Sequence, residues 1–364
     1  MANLVALEMP IGESLVDFIK TCADSHEAFT ILDPSLSGPR RSELLDILRP
    51  THLIDATGRR QTLDGDPVED GDGAVVLTSG SAGRPKAAVL TWDALQASAT
   101  LTTQALARDR EQRWLAVIPP THIGGLAVLS RSVLADASLV FDTTIESGPA
   151  LGATHVSVVR TQLVRNDTSN YRCVLLGGGP PPPTIPRNVT ITWGMTETGS
   201  GVLYDRQPLN GVELAVVDGE LLIKSPTLFR AYRDRPRPEV SAQGSDGWFP
   251  TGDGATLIDG HLQIQGRLAY VINSGGEKIW PEDLEELFRD IEGLTDLAVI
   301  GRDDAEWGQR VTVVAVSDRE EGDLLADCRA LARERFGPWA QPKAIELVAA
   351  IPRTSNGKIA RGLL

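Results

Sequence analysis

Cysteine is scarce in this 364-residue chain: Cys22, Cys173 and Cys328 stand far apart and in no metal-ligand spacing. An odd, scattered set excludes a disulfide framework and a zinc ribbon, and suits a reducing cytosol. Long apolar runs are missing as well; none reaches the ~18 residues that a membrane-spanning helix requires. Basic residues are outnumbered, 35 Lys and Arg against 49 Asp and Glu, for a net charge of -14. That balance argues against nucleic acid as a partner, because a phosphate backbone demands clustered cations. A small anionic ligand needs only a few local ones. The N-terminal stretch MANLVALEMPIGESLVDF has no basic region before its apolar residues and is broken by Glu8, Pro10 and Glu13. It makes a poor secretory signal, so a cytoplasmic location is expected. What is present is a 41% hydrophobic content, enough for a sizeable core and for two domains.

Short β-branched runs alternate with helical patterns, which predicts an α/β fold. Strands are expected in AVVLTS (74–79), RWLAVIP (113–119), SLVFDT (138–143), HVSVV (155–159), CVLLG (173–177) and VTITW (189–193), and a helix over 93–107. Between Val212 and Gly266 the pattern changes to alternating strands around Asp-Gly turns, hence antiparallel hairpins. Beyond Gly266, PEDLEELFRDI sets Leu284, Leu287, Phe288 and Ile291 on one helical face, with Pro281 and three acids at its start. Strands LAVIG and VTVVAVS, a helix over DLLADCRALARERF and a strand AIELVAAIP follow, forming an α/β unit of their own. The expected boundary lies near Arg267–Ala269, giving domains 1–268 and 269–364.

One loop asks for a ligand. The stretch LTSGSAGRPKAAVLTW (77–92) packs Thr78, Ser79, Gly80, Ser81, Gly83 and Lys86 between a strand and a helical pattern. Glycines let backbone N–H groups converge on an anion, hydroxyls add donors, and Lys86 supplies charge. Ala87 follows the lysine where a Walker A loop has Ser or Thr, so phosphate binding outside the P-loop NTPases is expected. A plain surface loop is the alternative on this stretch alone.

The signature TSGSAGRPK resembles that of the acyl-adenylate-forming superfamily, which comprises acyl-CoA synthetases, luciferases and adenylation domains. Further motifs stand in the family's order: PPTHIGGL (119–126), LLGGGPPP (175–182), WGMTETGS (193–200), WFPTGD (248–253), GRLAYVINSGGEKIWPEDLE (266–285) and PRTSNGKIAR (352–361). The resemblance implies a large N-terminal domain of mixed sheets and helices and a small mobile C-terminal α/β domain. It also implies a two-step reaction. A carboxylate attacks the α-phosphorus of ATP, pyrophosphate leaves, and a thiol then displaces AMP. ATP, Mg²⁺, coenzyme A and a small carboxylic acid are the ligands implied; self-association as a homo-oligomer is left open by the sequence.

The site residues follow from the same resemblance. Thr196 is expected on the α-phosphate and Glu197 on Mg²⁺, a hard ion that prefers oxygen ligands; a capped turn is the bland alternative. Trp193, where the family usually has Tyr, would stack on adenine, beside Gly194 and Met195. Gly177, Gly178 and Gly179 would let the base lie on bare backbone, unless they only make a turn. Asp253 and Arg267 would hold the ribose. Lys358 resembles the catalytic lysine that bridges substrate carboxylate and α-phosphate. His122 would line the acyl pocket and gate the pantetheine channel, or be a structural histidine. Gly275 and Gly276 would border the pantetheine tunnel. Ala269 stands where the family commonly has an acid or lysine at its hinge.

For the acid itself, THVSVVRTQLVR (154–165) resembles the o-succinylbenzoate–CoA ligases of menaquinone synthesis, with Arg160 in place of a proline. About 77 residues precede the phosphate loop, which suits that branch's short chains and implies a reduced N-terminal subdomain. Arg165, placed at the start of a helix, would face the second carboxylate, or simply solvent. Gly124 and Gly125 would make room for the ring, with Ser200 nearby. Another aryl or medium-chain acid, or a carrier-protein thiol in place of coenzyme A, remains the competing reading.

Overall fold

The structure, a computed structural model, describes residues 1–78, 85–106, 111–237, 240–242, 245–258, 261–354 and 358–364. Two compact units are present, one built from Met1–Thr78, Pro85–Leu214 and Ile223–Glu239, the other mainly from Ala215–Leu222 and Val240–Leu364. The expected boundary at 268/269 falls inside the second unit.

In the first unit the described residues form two sheets. One runs in the order Arg235–Pro236, Ala231–Tyr232, Lys86–Thr91, Asp72–Thr78, Ala28–Leu32, Leu4–Glu8, His52–Asp55, Arg60–Thr62. Leu4, Ala6, Val75 and Val89 share its core cluster. The other sheet runs Gln207–Pro208, Ser200–Tyr204, Val189–Met195, Cys173–Gly177, His155–Val159, Arg113–Leu115, Ser138–Val140. Its strands from Val189–Met195 through Ser138–Val140 are all parallel. Their carboxyl ends therefore share one edge, and that edge is where open α/β sheets bind ligands. Strands His155–Val159 and Cys173–Gly177 are buried on successive residues, so on both faces, and Val156, Val158, Val174 and Leu176 sit in one cluster.

The structure corrects the phosphate loop's surroundings. Strand Asp72–Thr78 pairs antiparallel with Lys86–Thr91, with Thr78 opposite Lys86, and the helix begins only at Trp92. The described residues on either side of 79–84 are therefore paired antiparallel strands rather than a strand and a helix. Ala88, Val89 and Leu90 are all buried, so the strand lacks the alternation that would have marked it.

The second unit opens with the hairpin strands Glu213–Val217, Glu220–Lys224, Ser245–Ile258 and His261–Arg267 that the Asp-Gly turns predict. Helix Pro281–Phe288 buries Leu284 and Phe288. Helix Glu321–Arg335 buries Leu324, Cys328 and Ala332, one stripe at a four-residue spacing, with acids in its first turn and arginines in its last. Both pack on a sheet of Leu294–Asp304, Gly308–Ser317 and the shorter strands beside them.

Candidate active site

At the shared carboxyl edge, strand Val189–Met195 runs straight into a short 3-10 turn, Thr196–Thr198. The Thr198 hydroxyl accepts the Met195 N–H at 2.9 Å and donates to the Ser200 carbonyl at 2.7 Å, which closes the turn. Gly199 turns the chain with φ of 65°, and its carbonyl accepts the Ser98 hydroxyl at 2.9 Å. Gly194 has to be bare, because a Cβ there would meet the Gly201 backbone at 2.6 Å. These constraints fix Glu197, which is buried and accepts a hydrogen bond from the Tyr232 hydroxyl at 2.9 Å. Lys86 Nζ lies 5.3 Å from the centre of the same Tyr232 ring. A cation from the phosphate hairpin and the carboxylate after the parallel strand therefore meet through one tyrosine. Tyr232 was missed by sequence reasoning: its strand is two residues long and shows no period. Its only signal is a tyrosine set among Arg230, Arg233 and Arg235.

The neighbouring strand Cys173–Gly177 ends beside Thr192, whose hydroxyl donates to the Leu176 carbonyl at 3.1 Å. A Cβ on Gly177 would meet that hydroxyl at 2.9 Å, Gly178 has φ of 88°, and a Cβ on Gly179 would meet nothing within 4 Å among the described residues. Half-buried Trp193 and these glycines thus flank adjacent strand ends. Ser79, Gly80, Ser81 and Gly83 lie outside the described residues.

His122 caps helix Ile123–Leu134, and its carbonyl accepts the Leu126 N–H at 2.9 Å. Gly124 approaches the Ile118 side chain, while Gly125 is buried with the Ile118 and Pro119 backbone pressed against it, a close approach of the chain to itself. Arg165 ends helix Arg160–Arg165 rather than starting it. It lines a pocket of about 410 Å³ with Val117, Thr144, Ile145, Thr161, Gln162 and Asn166. This lining combines one cation, two hydroxyls and two amides with apolar walls, and the Gln162 side chain is held by the Val159 N–H at 3.0 Å. Ser200 begins the strand antiparallel to Val189–Met195.

In the second unit Asp253 and Arg267 are register partners on antiparallel strands and form a 3.0 Å ion pair. Arg267 also donates to the Thr251 carbonyl at 2.8 Å, and the Thr251 hydroxyl donates to Leu221 O at 2.8 Å. The Thr-Gly-Asp stretch of strand Ser245–Ile258 is therefore held by bonds from both Thr251 and Arg267. Gly275 and Gly276 form the two-residue connection between strands Ile272–Ser274 and Glu277–Ile279, with φ of 61° and 88°. Positive φ at both positions is the type I′ hairpin requirement, a structural reason for glycine there. Lys358 follows immediately on residues outside the description. Its N–H donates to the Thr354 hydroxyl at 3.2 Å, and the Thr354 N–H to its carbonyl at 2.8 Å. Arg353 and Ile359 bridge the same segment.

Burial pushes the thiols of Cys22 and Cys328 up to about 12, which removes them as nucleophiles. Among the described residues no three His, Cys, Asp or Glu side chains gather as a metal cage. A lone carboxylate such as Glu197 is the donor set of a magnesium ion that keeps water and phosphate oxygens as its other ligands.

Comparison with known proteins shows the family. The model of the AMP-binding enzyme family matches residues 21–233, and that of the AMP-binding enzyme C-terminal domain matches 283–358. A probable 2-succinylbenzoate–CoA ligase of Mycobacterium tuberculosis is 35% identical over 332 residues, covering 82% of this chain and 85% of that one. The 2-succinylbenzoate–CoA ligase of Listeria monocytogenes is 31% identical over 325 residues, 80% of this chain and 69% of that one. Among solved structures, o-succinylbenzoate CoA synthetase (MenE) of Bacillus subtilis in complex with the acyl-adenylate OSB-AMP superposes with a TM-score of 0.83 at 22% identity, covering 99% and 87%. ATP-bound MatB of Rhodopseudomonas palustris gives 0.81 at 20% identity, covering 100% and 88%. With both family models matched, the chain belongs to the AMP-binding enzyme family, the acyl-adenylate-forming superfamily.

Proposed function

We propose that the protein is an AMP-forming acid–thiol ligase that converts 2-succinylbenzoate to its coenzyme A thioester through an acyl-adenylate. The observation that carries the adenylation step is the Lys86–Tyr232–Glu197 group. Attack of a carboxylate on a triphosphate is opposed by charge, so the site must offer cations where negative charge develops. Lys86 supplies one, and Glu197 is the carboxylate that would hold Mg²⁺, which neutralises the phosphate oxygens when bound. Tyr232 holds one Glu197 oxygen, and the other is the one assigned to that purpose. Thr196 is assigned to the α-phosphate, and Trp193 with Gly177, Gly178 and Gly179 to the adenine. Asp253 and Arg267 take the ribose, with the aspartate as acceptor for its hydroxyls. Lys358 bridges the two reacting groups. His122 borders the acyl pocket, and Gly275 and Gly276 the thiol's path.

The acid follows from sequence similarity to relatives named for 2-succinylbenzoate. It is supported by a pocket whose one cation, Arg165, suits a second carboxylate and whose apolar walls suit a ring. The test is pyrophosphate release across a panel of aryl and medium-chain acids, with and without coenzyme A. Release that is strongest with 2-succinylbenzoate, and thioester formed only with coenzyme A, is the expected result. A different preferred acid overturns the substrate, and transfer to a carrier-protein thiol instead of coenzyme A overturns the acceptor.

A further inference from the structure

The ribose pair Asp253–Arg267 has a second pair beside it on the same two strands: Gly254 opposite Gly266. Two facing glycines leave a bare patch of sheet, and the patch is covered. A Cβ on Gly254 would fall 2.7 Å from Cζ2 and 2.9 Å from Cζ3 of Trp280. One on Gly266 would fall 3.3 Å from Trp280 Cε3 and 2.7 Å from Glu282 Oε2. The indole therefore lies on both glycines, and the first turn of helix Pro281–Phe288 stands beside it. That turn is tied in the other direction to the C-terminal tail. Arg361 bonds Glu285 at 2.6 Å and lies 3.5 Å from Glu282, and its guanidinium is 5.1 Å from the centre of the Tyr270 ring. Arg361 is three residues beyond Lys358. A line of contacts thus runs from Asp253 and Arg267 through the glycine patch to Trp280 and Glu282, and from Glu282 and Glu285 through Arg361 to the tail that carries the lysine.

We propose that the Gly254–Gly266 patch is a seat for Trp280, and that Trp280 is a positioning residue which holds the Lys358-bearing part of the chain in register with the ribose pair. The seat lies before the Leu268–Tyr270 turn and the indole after it, so a rotation about that turn has to lift the ring off the glycines. Bare backbone is what makes the contact both close and releasable: a flat ring on two glycines interlocks with no side chain. The inference rests on the two-step adenylation and thiolation reading above.

The experiment compares the full-length wild type with Trp280→Ala, Trp280→Phe, Gly254→Ala and the Gly254→Ala/Trp280→Ala double variant. Adenylation is read as ATP–pyrophosphate exchange, thiolation as thioester formed from supplied acyl-adenylate, and the seat itself as hydrogen exchange of the backbone over 250–258 and 261–267. Loss of a half-buried indole contact should shift the ratio of the two half-reaction rates by about tenfold and speed exchange in both strands. Phe should restore most of the ratio, and the double variant should be no worse than Trp280→Ala, because both single changes break one contact. Additive losses, or an unchanged ratio with unchanged exchange in Trp280→Ala, overturn the seat. If Gly254→Ala does not fold, the Ala and Phe pair at 280 decides alone. A wild type inactive on 2-succinylbenzoate would instead count against the proposed substrate, while hydrogen exchange still reads the seat.

Discussion

Arg165 and His155 show how far a residue's role depends on what surrounds it. Arg165 is exposed at the end of its helix, yet it is the one cation lining its pocket. A charged hydrogen bond is worth roughly 1.5–3 kcal/mol, about one to two orders of magnitude in binding. Arg165→Ala should therefore raise the KM for 2-succinylbenzoate by that factor and leave the KM for ATP nearly unchanged; steady-state kinetics in both substrates checks it. His155, from the Thr-His motif that pointed to the same acid, is buried against Trp114, with ring centres 5.0 Å apart and its Nδ1 2.7 Å from the Thr154 hydroxyl. Burial, then the charges of Arg172 and Arg131, lowers its pKa to about 4 from 6.5. In the folded protein it binds fewer protons than in the unfolded chain between those values. Stability from this group is fully present above pH 6.5 and is lost as the pH falls toward 4, by up to about 3 kcal/mol. Melting temperatures of wild type and His155→Asn should accordingly converge as the pH is lowered through that window. Parallel curves would show that the imidazole is not held neutral.

Elements were legible in the sequence where their period or punctuation was local. Strands His155–Val159 and Cys173–Gly177 match their sequence expectations residue for residue, and the Asp-Gly hairpins and the two C-terminal helices stand where their patterns put them. Strand Lys86–Thr91 was hidden because Ala87, Ala88 and Leu90 are good helix formers and both faces of the strand are covered. The pairing of Lys86 with Tyr232 was hidden for a different reason: it joins residues far apart in the chain through a sheet edge that no local signal marks. Asp253 and Arg267, by contrast, are close in sequence, and the structure sets them opposite each other on one hairpin. The C-terminal segment is also local. The Arg353–Ile359 bridge and the Thr354–Lys358 hydrogen bonds close a small loop, and Ile359 packs against the cluster of Ile300 and Ile351. Lys358 is therefore presented by a braced segment, and its removal should leave the fold intact. Lys358→Ala is expected to slow acyl-adenylate formation by about 10²–10³-fold, while thioester formation from supplied acyl-adenylate largely persists. Equal loss of both steps would point to a folding defect and remove the lysine from the chemistry.

On the scale of the molecule, the two half-reactions make competing demands on the second unit. On the function proposed above, adenylation would call for Lys358 at the α-phosphate and thiolation for the Gly275–Gly276 hairpin at the acyl carbon; both lie beyond Leu268–Tyr270, while Asp253 and Arg267 lie before it. One orientation serves only one of them, so a rotation about that turn is the economical solution, and steps of this kind can limit turnover. The turn is a single 3-10 stretch centred on Ala269, and 3-10 geometry in general has a φ close to that of proline. Proline at 269 would fix φ there and, because Leu268 lies in the same 3-10 stretch, would bias Leu268 away from its present geometry, which restricts the torsions a hinge needs. Ala269→Pro should therefore stay folded and bind ATP, and should impair one half-reaction far more than the other. Pyrophosphate exchange and thioester formation, measured separately with a melting curve as the folding control, check this. A folded variant that retains both half-reactions would move the hinge elsewhere, and Trp280 would then stay on its glycines through the whole cycle.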